Sequence, residues 1–501
     1  MKKFYKPLSR FNVVTLWDFD TVARPMRYLL KYYYHLNSQP FENYTAILLI
    51  QTFQVMAKHW KIILFGLLIF HLFLFASTQF TAWPEMLFWP YLMLKGWLPY
   101  RDIAIAHSPL LVVVLTAFYK LIGVGIWQQK IISWLIPLFS DCLLFYFFNK
   151  LFGIKKALLS LAFYIPFQVY YDGNGIWFDH ALAVFPIMIF YCLEKKKFFL
   201  TGLLWAVSFL TKQTAFWFSL PILYYFLIYP NKKKFIVDSL KGFLAVISLF
   251  LVILVALGIQ GDYFHWSIIF GIFTLPNQTA QIKWPVVRQL IASLTPFLIY
   301  IPLLFSKLNR QKISIFLWSI VGMMGVLPRF ELFHFQPALP FIALGYSILV
   351  FGILQSKGKK YFLFIPLLTL VLVPRGIYRK INKQDRFIEP SDQMIVASVK
   401  NLTTPSQTIF VTNYWDNLYP LTNTFPATRP FVPQLLQYVN QPGIEDTLIA
   451  NLDQIKPKVV IRGEYNTPGS ETYRFEKINH FIDNNYMKID TIGEIEIMKI
   501  K

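Results

Sequence analysis

The chain has 501 residues, of which 56% are hydrophobic, 18% are aromatic and only 15% are charged. Soluble globular proteins of this length are less apolar and more charged, so the composition excludes that class and predicts a polytopic membrane protein. The formal net charge of +22 does not indicate a nucleic-acid partner, because the Lys residues stand in short clusters between apolar runs. That distribution is what the positive-inside rule of membrane topology predicts.

The balance of charge divides the chain near residue 375. From Arg375 onward fifteen Lys and Arg accompany fourteen Asp and Glu, so 33 of the 48 basic residues and 12 of the 26 acidic residues precede that point. Residues 375–501 therefore predict a small separate domain, and residues 62–374 predict a membrane module. Residues 1–61 form a basic, partly amphipathic segment without a cleaved signal peptide, which we expect to lie in the cytoplasm at the membrane surface.

Apolar runs of about twenty residues predict about eleven transmembrane helices in the membrane module. The predicted spans are residues 62–80, 131–149, 157–171, 176–193, 198–211, 214–229, 235–258, 289–306, 313–328, 335–354 and 361–374. The apolar run 109–122 is interpreted as a juxtamembrane helix, because a span there would place Lys150 and Lys195–Lys197 on the outer side.

Charge also predicts the orientation. The turns that hold Lys195–Lys197 and Lys232–Lys234 are cytoplasmic, which places residues 375–501 outside the cell membrane. Six of the twelve acidic residues before residue 375 then map to the outer face, in the first outer loop (residues 81–130), in the loop from Gln260 to Pro285, or at outer ends of spans. They are Glu85, Asp102, Asp172, Asp179, Asp262 and Glu331. Any chemistry of this chain is therefore expected on the outer face.

The C-terminal region, residues 375–501, predicts a small extracytoplasmic α/β domain. TIFVTN at 408–413 and KVVIRG at 458–463 are typical of buried strands, and MKIDTIGEIEIMKI at the end alternates like a hairpin. IEDTLIANLDQI and SETYRFEKINHFIDNN predict helices. The two cysteines, Cys142 and Cys192, lie in apolar runs and predict neither a disulfide framework nor a metal cluster.

The first outer loop contains the run WPEMLFWPYLMLKGWLPYRDIAIAHSPLL at Trp83–Leu111. Glu85, Arg101, Asp102 and His107 stand there among aromatic and aliphatic residues that would otherwise contact lipid. Charges are costly at a membrane boundary, so this loop is the candidate site of the chain.

The motifs of the chain follow one another in the order of a known family. They are Glu85 after the first span, Gly96, PYRD at Pro99–Asp102, Ser108-Pro109 before the next apolar helix, Lys212-Gln213, RFELFHFQPALPF at Arg329–Phe341 and the α/β tail. This order resembles the GT-C superfamily of polyprenyl-phosphate-sugar-dependent glycosyltransferases, in particular its bacterial mannosyltransferase-like and aminoarabinose-transferase-like branch. The family usually places its acidic residue further from the Gly than Glu85 lies, so the position of the catalytic carboxylate departs from the pattern.

The resemblance implies a GT-C-like fold and a hexosyltransferase-type membrane enzyme of the plasma (inner) membrane. It would move a monosaccharide from a polyprenyl-phosphate carrier to a lipid, glycan or protein acceptor on the outer face. Glu85 and Asp102 are then the candidates for the general base that takes the proton of the acceptor hydroxyl, although Arg101 could simply pair with Asp102. Arg101, Lys212 and Arg329 are candidates for binding the donor phosphate, while Lys212 could instead extend to the membrane interface.

A second group of polar residues follows later in the chain. Asp172, Asp179 and His180 in YDGNGIWFDH, with Glu331 and His334 in RFELFH, could bind sugar hydroxyls or lie beside a metal. Carboxylates suit Mg²⁺ or Mn²⁺, but the spacing is not diagnostic of a metal site, so no cofactor is assigned and a divalent cation stays open.

Two other functions stay open at this point. A transporter or flippase for lipid-linked glycans would also be polytopic, and Asp141 and Asp238 are the acidic residues nearest the membrane interior that could serve it. A non-catalytic relative that binds a lipid would share every motif, and only a measurement of activity separates it from an enzyme.

Overall fold

The computed structural model describes residue 55 and residues 57–278, 281–304, 309–354, 362, 364–463 and 475–501. The chain divides into two compact units, Met1–Trp60 and Lys61–Lys501. Nearly all of the predicted cytoplasmic segment 1–61 lies outside the described residues. The same is true of Lys357, Lys359 and Lys360, whose positive charges predict another cytoplasmic turn. The account that follows concerns the second unit.

The membrane module is helical almost throughout its described residues. Its helices are α1 (Trp60–Ser77), α2 (Pro84–Leu94), α3 (Leu110–Ile122), α4 (Ile126–Phe152), α5 (Ile154–Tyr170), α6 (Phe178–Leu182), α7 (Val184–Glu194), α8 (Phe198–Thr211), α9 (Ser219–Ile228), α10 (Lys232–Ala256), α11 (Gln260–Tyr263), α12 (Val287–Leu294), α13 (Tyr300–Leu304), α14 (Arg310–Gly322), α15 (Leu339–Leu354) and α16 (Phe364–Tyr378). Short 3₁₀ turns lie at Gln213–Phe218, Leu275–Asn277, Thr295–Ile299, Met324–Val326 and Leu332–Ala338.

Each predicted span contains helix, and four helical segments of the described residues are long and apolar enough to cross a membrane. These segments are Trp60–Ser77, Ile126–Phe152, Lys232–Ala256 and Leu332–Ile353. Several other predicted spans are interrupted, as where α6 ends and α7 begins around Ala183. The chain is thus an integral membrane protein by its helices, while the number of eleven spans and the orientation of the termini stay predictions.

The outer loop from Gln260 to Pro285 is more regular than its sequence indicates. Phe264–Thr274 forms a π-helix that follows α11. Trp266 and Phe270 of this helix are buried, and both rings lie against the ring of Tyr438, with centroids 6.2 and 4.7 Å away. The helix forms because its aromatic face packs against a distant part of the chain, which no local pattern encodes.

The C-terminal region is an α/β layer, as predicted. Its sheet has the strand order β2-β1-β3-β5-β4, with β1 parallel to β2 and β3, and β5 antiparallel to β3 and β4. The strands are β1 (Thr408–Thr412), β2 (Phe425–Pro426), β3 (Val459–Arg462), β4 (Tyr486–Ile492) and β5 (Ile495–Ile500). The helices are α17 (Asp392–Leu402), α18 (Leu418–Thr422), α19 (Leu436–Val439), α20 (Ile444–Ile455) and α21 (Glu476–Asn485).

This α/β layer packs directly on the first outer loop. Phe88 of α2 stacks on Tyr419, with ring centroids 4.8 Å apart, and meets Phe431 edge to face at 4.7 Å. The backbone of Phe431 donates to the Asp102 carbonyl and accepts from the Ala104 N–H, both at 2.8 Å. Because these buried groups share one hydrophobic core, the loop and the tail hold each other in place.

Two glycines let helices α8 and α10 touch through their backbones. A Cβ atom on Gly202 would lie 1.8 Å from the Ser239 carbonyl oxygen, and one on Gly242 would lie 2.0 Å from that of Phe199. Small residues of this kind allow close helix packing in membranes, where lipid tails are as apolar as the helix surfaces. The contact fixes the position of α8, whose last residue is followed by Lys212.

Candidate functional site

A buried cluster of Lys212, Asp179 and His334 brings together three of the predicted site residues from distant parts of the chain. Lys212 Nζ lies 2.6 Å from Asp179 Oδ2, and His334 Nδ1 lies 2.9 Å from the same oxygen. Lys212 Nζ and His334 Nδ1 are 3.2 Å apart. All three residues are at least nine-tenths buried, with exposures of 5%, 1% and 8%. Lys212 therefore does not extend to the membrane interface, because its ammonium is held inside the protein.

Each member of the cluster lies at the end of a helix, in a first helical turn or in a 3₁₀ turn. Helix α8 ends at Thr211, and Lys212 takes an extended conformation before a 3₁₀ turn begins. Asp179 lies in the first turn of α6, and His334 lies in the 3₁₀ turn Leu332–Ala338. Asp179 Oδ1 is buried and has no hydrogen-bond partner among the described residues. The cluster thus presents one cation and one carboxylate oxygen that is available to a hydrogen-bond donor.

His107 of the first outer loop stands beside this cluster. Its ring packs on that of Phe178, with centroids 4.4 Å apart. Burial and the nearby Lys212 charge lower the pKa of His107 to about 3. Next to it, the Ala106 carbonyl accepts from the side chain of Gln213 at 3.0 Å. The Lys212-Gln213 step therefore connects the first outer loop to α8, and His107 stays neutral at physiological pH.

Glu85 occupies the start of α2 and has no cation beside it among the described residues. Its Oε2 atom is buried without a hydrogen-bond partner. Burial raises the pKa of Glu85 to about 7, against a smaller opposing effect of its own backbone N–H. A carboxyl group in this state exchanges its proton near neutral pH, which is the property that a general base requires.

Asp102 has a different environment from Glu85. Its carboxylate accepts two parallel bonds from the guanidinium of Arg429, at 2.9 and 2.8 Å, and one from the Leu98 N–H at 2.8 Å. Partial burial alone would raise the pKa of Asp102, but the Arg429 and Leu98 hydrogen bonds outweigh it and hold the pKa below its usual value. The suggested pairing of Asp102 with Arg101 is wrong, because Arg429 from the tail takes that position.

Arg101 points instead toward the end of α10. Its guanidinium donates to the Gly258 carbonyl and lies 3.6 Å from Asp262 Oδ2. Its side chain is 44% exposed. Arg101 is thus accessible at the surface of the loop, and it takes no part in the buried cluster.

The remaining predicted residues form ion pairs at two separate places, and one of these residues is a structural histidine. Asp172 pairs with Lys380 at 2.5 Å, while Glu331 accepts from Lys283 at 2.7 Å and lies 3.6 Å from Arg329. His180 accepts the Trp177 N–H at Nδ1 and donates from Nε2 to the Asp172 carbonyl. These contacts hold loops together. Within the described ranges, no three or more His, Cys, Asp or Glu side chains are grouped so as to bind a metal ion.

Sequence reasoning missed three residues that lie beside Glu85 or Asp102. Asp416 and Tyr438 lie beside Glu85, and Arg429 binds Asp102. Burial raises the pKa of Asp416 well above its usual value, and the Glu85 charge adds to that effect. Tyr438 also faces Glu85, and its hydroxyl is hydrogen-bonded to the Ala106 backbone. One signal was available for Asp416. It stands in TNYWDN, just after a buried parallel strand, where polar residues commonly form sites.

Comparisons with known proteins agree with this architecture. Residues 106–257 match the family model described as dolichyl-phosphate-mannose-protein mannosyltransferase. A comparison with curated protein sequences gives no match. The structure resembles ArnT from Cupriavidus metallidurans bound to undecaprenyl phosphate, with 12% identity over 88% of this chain and 98% of that chain and a TM-score of 0.61.

Two further solved structures also resemble this chain, to different degrees. ArnT from the same organism in the apo state matches with a TM-score of 0.59, 11% identity and the same coverage of 88% and 98%. The Archaeoglobus fulgidus oligosaccharyltransferase tethered with an acceptor peptide gives a TM-score of only 0.47, with 9% identity over 81% of this chain and 69% of that chain.

The chain thus has apolar helices long enough to cross a membrane and an ArnT-like GT-C fold. The resemblance to the GT-C superfamily that the motif order predicted is confirmed, and residues 106–257 carry the sequence pattern of its mannosyltransferase family.

Proposed function

We propose that this protein is a membrane glycosyltransferase that moves a monosaccharide from a polyprenyl-phosphate carrier to a hydroxyl of a lipid, glycan or protein acceptor. The reaction takes place on the outer face of the plasma membrane. The observation that carries the proposal is the buried Lys212–Asp179–His334 cluster, within a fold shared with ArnT.

In the proposed site Lys212 binds the phosphate of the donor. The bond between the sugar C1 and the phosphate oxygen breaks, and its electron pair leaves with the phosphate. An ammonium group stabilises the charge that develops there, and it does so most effectively where water is excluded. Asp179 holds the ammonium through Oδ2. The unpartnered Oδ1 of Asp179 accepts a hydrogen bond from a hydroxyl of the sugar.

Glu85 takes the proton of the acceptor hydroxyl as that oxygen forms its bond to C1. A positioned general base of this kind accelerates a reaction by about a hundredfold to ten-thousandfold. The base must give and receive a proton near neutral pH, which fits Glu85, with its pKa raised to about 7. It does not fit Asp102, whose carboxylate is held by Arg429. We therefore assign Glu85 as the base and Asp102 as the residue that anchors the tail to the outer loop.

The decisive experiment measures transfer of radiolabelled sugar from defined polyprenyl-phosphate sugars by the purified protein in nanodiscs. We compare the wild type with Glu85→Gln, Lys212→Met and Asp102→Asn, each checked for folding by its unfolding temperature. Transfer that is lost in Glu85→Gln and Lys212→Met, and retained in Asp102→Asn, supports the enzyme and these roles.

Other outcomes select the alternative functions. If no donor and acceptor support transfer while polyprenyl phosphate still binds, the chain is a lipid-binding relative without catalysis. Movement of a labelled lipid-linked sugar between leaflets of a proteoliposome, without transfer, identifies a flippase.

A further inference from the structure

Helix α2 of the outer loop and the start of α18 in the tail face each other side by side. Phe88 follows Glu85 by three residues, and Tyr419 follows Asp416 by three, and the rings of Phe88 and Tyr419 stack at 4.8 Å. Glu85 and Phe88 lie on one face of α2, because residues three apart do so in a helix. Asp416 lies in the turn before α18, where its carbonyl accepts the Tyr419 N–H at 3.2 Å. Three residues beyond Phe88, the Tyr91 hydroxyl donates to Asn423 Oδ1 at 3.2 Å and to the Thr424 carbonyl at 3.0 Å, so α2 and α18 run in the same direction. Glu85 and Asp416 therefore lie on the same side of the stacked rings, between the loop and the tail.

One oxygen of each carboxyl group in this space lacks a hydrogen-bond donor. Glu85 Oε2 and Asp416 Oδ1 are buried, and neither has a partner among the described residues. Asp416 is 91% buried, since its exposure is 9%. The titratable groups that face the pair are the hydroxyls of Tyr438, beside Glu85, and of Tyr419, beside Asp416. The Tyr419 hydroxyl is already engaged as acceptor of the Val411 N–H at 3.0 Å.

Two buried carboxylates without a cation repel each other, and each would also lose its hydration. A single proton relieves both costs, because the protonated acid can donate a hydrogen bond to the ionised one. The two buried oxygens that lack a partner are then satisfied together.

We propose that Asp416 is a positioning residue for Glu85. The tail supplies it as a neutral carboxylic acid that shares one proton with the base and stabilises the Glu85 carboxylate by donating a hydrogen bond. This inference rests on the proposed function of Glu85, and it makes the C-terminal domain a part of the active site. Its role is distinct from that of Arg429, which binds Asp102.

The test uses two substitutions of opposite hydrogen-bonding character in the full-length protein. Asp416→Asn keeps a donor in place of the neutral acid, and Asp416→Ala removes it. Asp392→Asn is the matched control, because Asp392 is also a buried acid of the tail, at 6% exposure, but bonds to Tyr414. Infrared difference spectroscopy of the protein in nanodiscs, without substrate, follows protonation of Glu85 against pH, with Glu85→Gln identifying its band. The pH dependence of transfer is measured in parallel.

We expect Asp416→Ala to raise the midpoint of the Glu85 titration by about one to two pH units, the usual effect of a hydrogen bond to a charged group. Asp416→Asn and Asp392→Asn should leave that midpoint close to the wild-type value, and the pH dependence of transfer should shift in step with the spectra. An unchanged midpoint in Asp416→Ala overturns the proposal, and so does a lowered midpoint in Asp416→Asn, which would mean that Asp416 is ionised.

The two readouts separate this inference from the proposed function. If the infrared midpoint behaves as expected but no donor supports transfer, the shared proton stands as a property of the fold and the transferase assignment fails. If transfer occurs and Asp416→Ala does not change its pH dependence, the transferase assignment stands and the positioning role of Asp416 fails.

Discussion

At the level of single residues, the two acidic candidates of the first outer loop differ in what surrounds them. Glu85 and Asp102 are only 17 positions apart. Burial without a cation gives Glu85 a raised pKa, whereas the bidentate guanidinium of Arg429 gives Asp102 a lowered one. In the proposed site the same functional group thus serves as a proton acceptor in one place and as an anchor in the other, and the neighbouring side chains make the difference.

The pH dependence of transfer follows from the raised pKa of Glu85. A general base acts in its ionised form, so the rate of transfer should rise with pH through about 7 and level off above it. One unit below that midpoint the rate should be about tenfold lower than on the plateau. Initial rates across pH, at saturating donor, measure this. A profile that rises instead near the ordinary pKa of a carboxyl group would exclude Glu85 as the base.

Substitutions in the Lys212–Asp179 pair should affect folding stability and binding of the donor phosphate differently. Lys212→Met leaves the Asp179 carboxylate buried without its ammonium partner, which should cost about 3–5 kcal/mol of folding stability. Adding Asp179→Asn removes the uncompensated charge, so the double variant should regain much of that loss. Neither variant should bind the phosphate of the donor. Unfolding temperature and binding of polyprenyl phosphate test both statements, and donor binding by the double variant would argue against Lys212 as the phosphate ligand.

At the level of secondary-structure elements, the contact between α8 and α10 determines where Lys212 lies. Gly202→Ala or Gly242→Ala would place a methyl group within about 2 Å of a backbone carbonyl oxygen. Since a backbone cannot turn aside as a flexible side chain can, the two helices must separate. We expect lower thermal stability and reduced transfer in each variant.

A matched substitution controls for the loss of glycine itself. Gly66 lies in α1, and a Cβ atom there would meet nothing within 4 Å. Gly66→Ala should leave the unfolding temperature and transfer unchanged. Equal effects of Gly66→Ala and Gly202→Ala would mean that helix contact is not the cause.

At the level of the whole molecule, the positions of charge predict which side of the membrane each part faces. The Lys195–Lys197 turn should be cytoplasmic, and the α/β tail should stand on the outer face. In a chain without its two native cysteines, Lys196→Cys should react with an impermeant thiol reagent only after the cells are opened. Asp453→Cys, exposed on α20, should react in intact spheroplasts. The reverse result would invert the topology and place Glu85 on the cytoplasmic side.

The sequence by itself determined the class, the helical module and much of the tail. Long apolar runs can be nothing but helices in lipid, because every backbone polar group must be satisfied within the segment. The predicted run 198–211 has the bounds of α8, and IEDTLIANLDQI has those of α20. Local periodicity also predicted the strands that the structure shows at Thr408–Thr412 and Val459–Arg462.

Only the tertiary structure decided how the site is composed. Lys212, Asp179 and His334 stood on the list of candidates, but nothing in their spacing of 33 and 122 positions says that they touch. Arg429 and Asp416 come from the C-terminal domain, in which the sequence indicated no site residue. Arg429 binds Asp102, which lies 327 positions away along the chain. Local patterns encode helices and strands through neighbouring residues, whereas ion pairing and desolvation act through space, so the roles of these groups became visible only once the chain was folded.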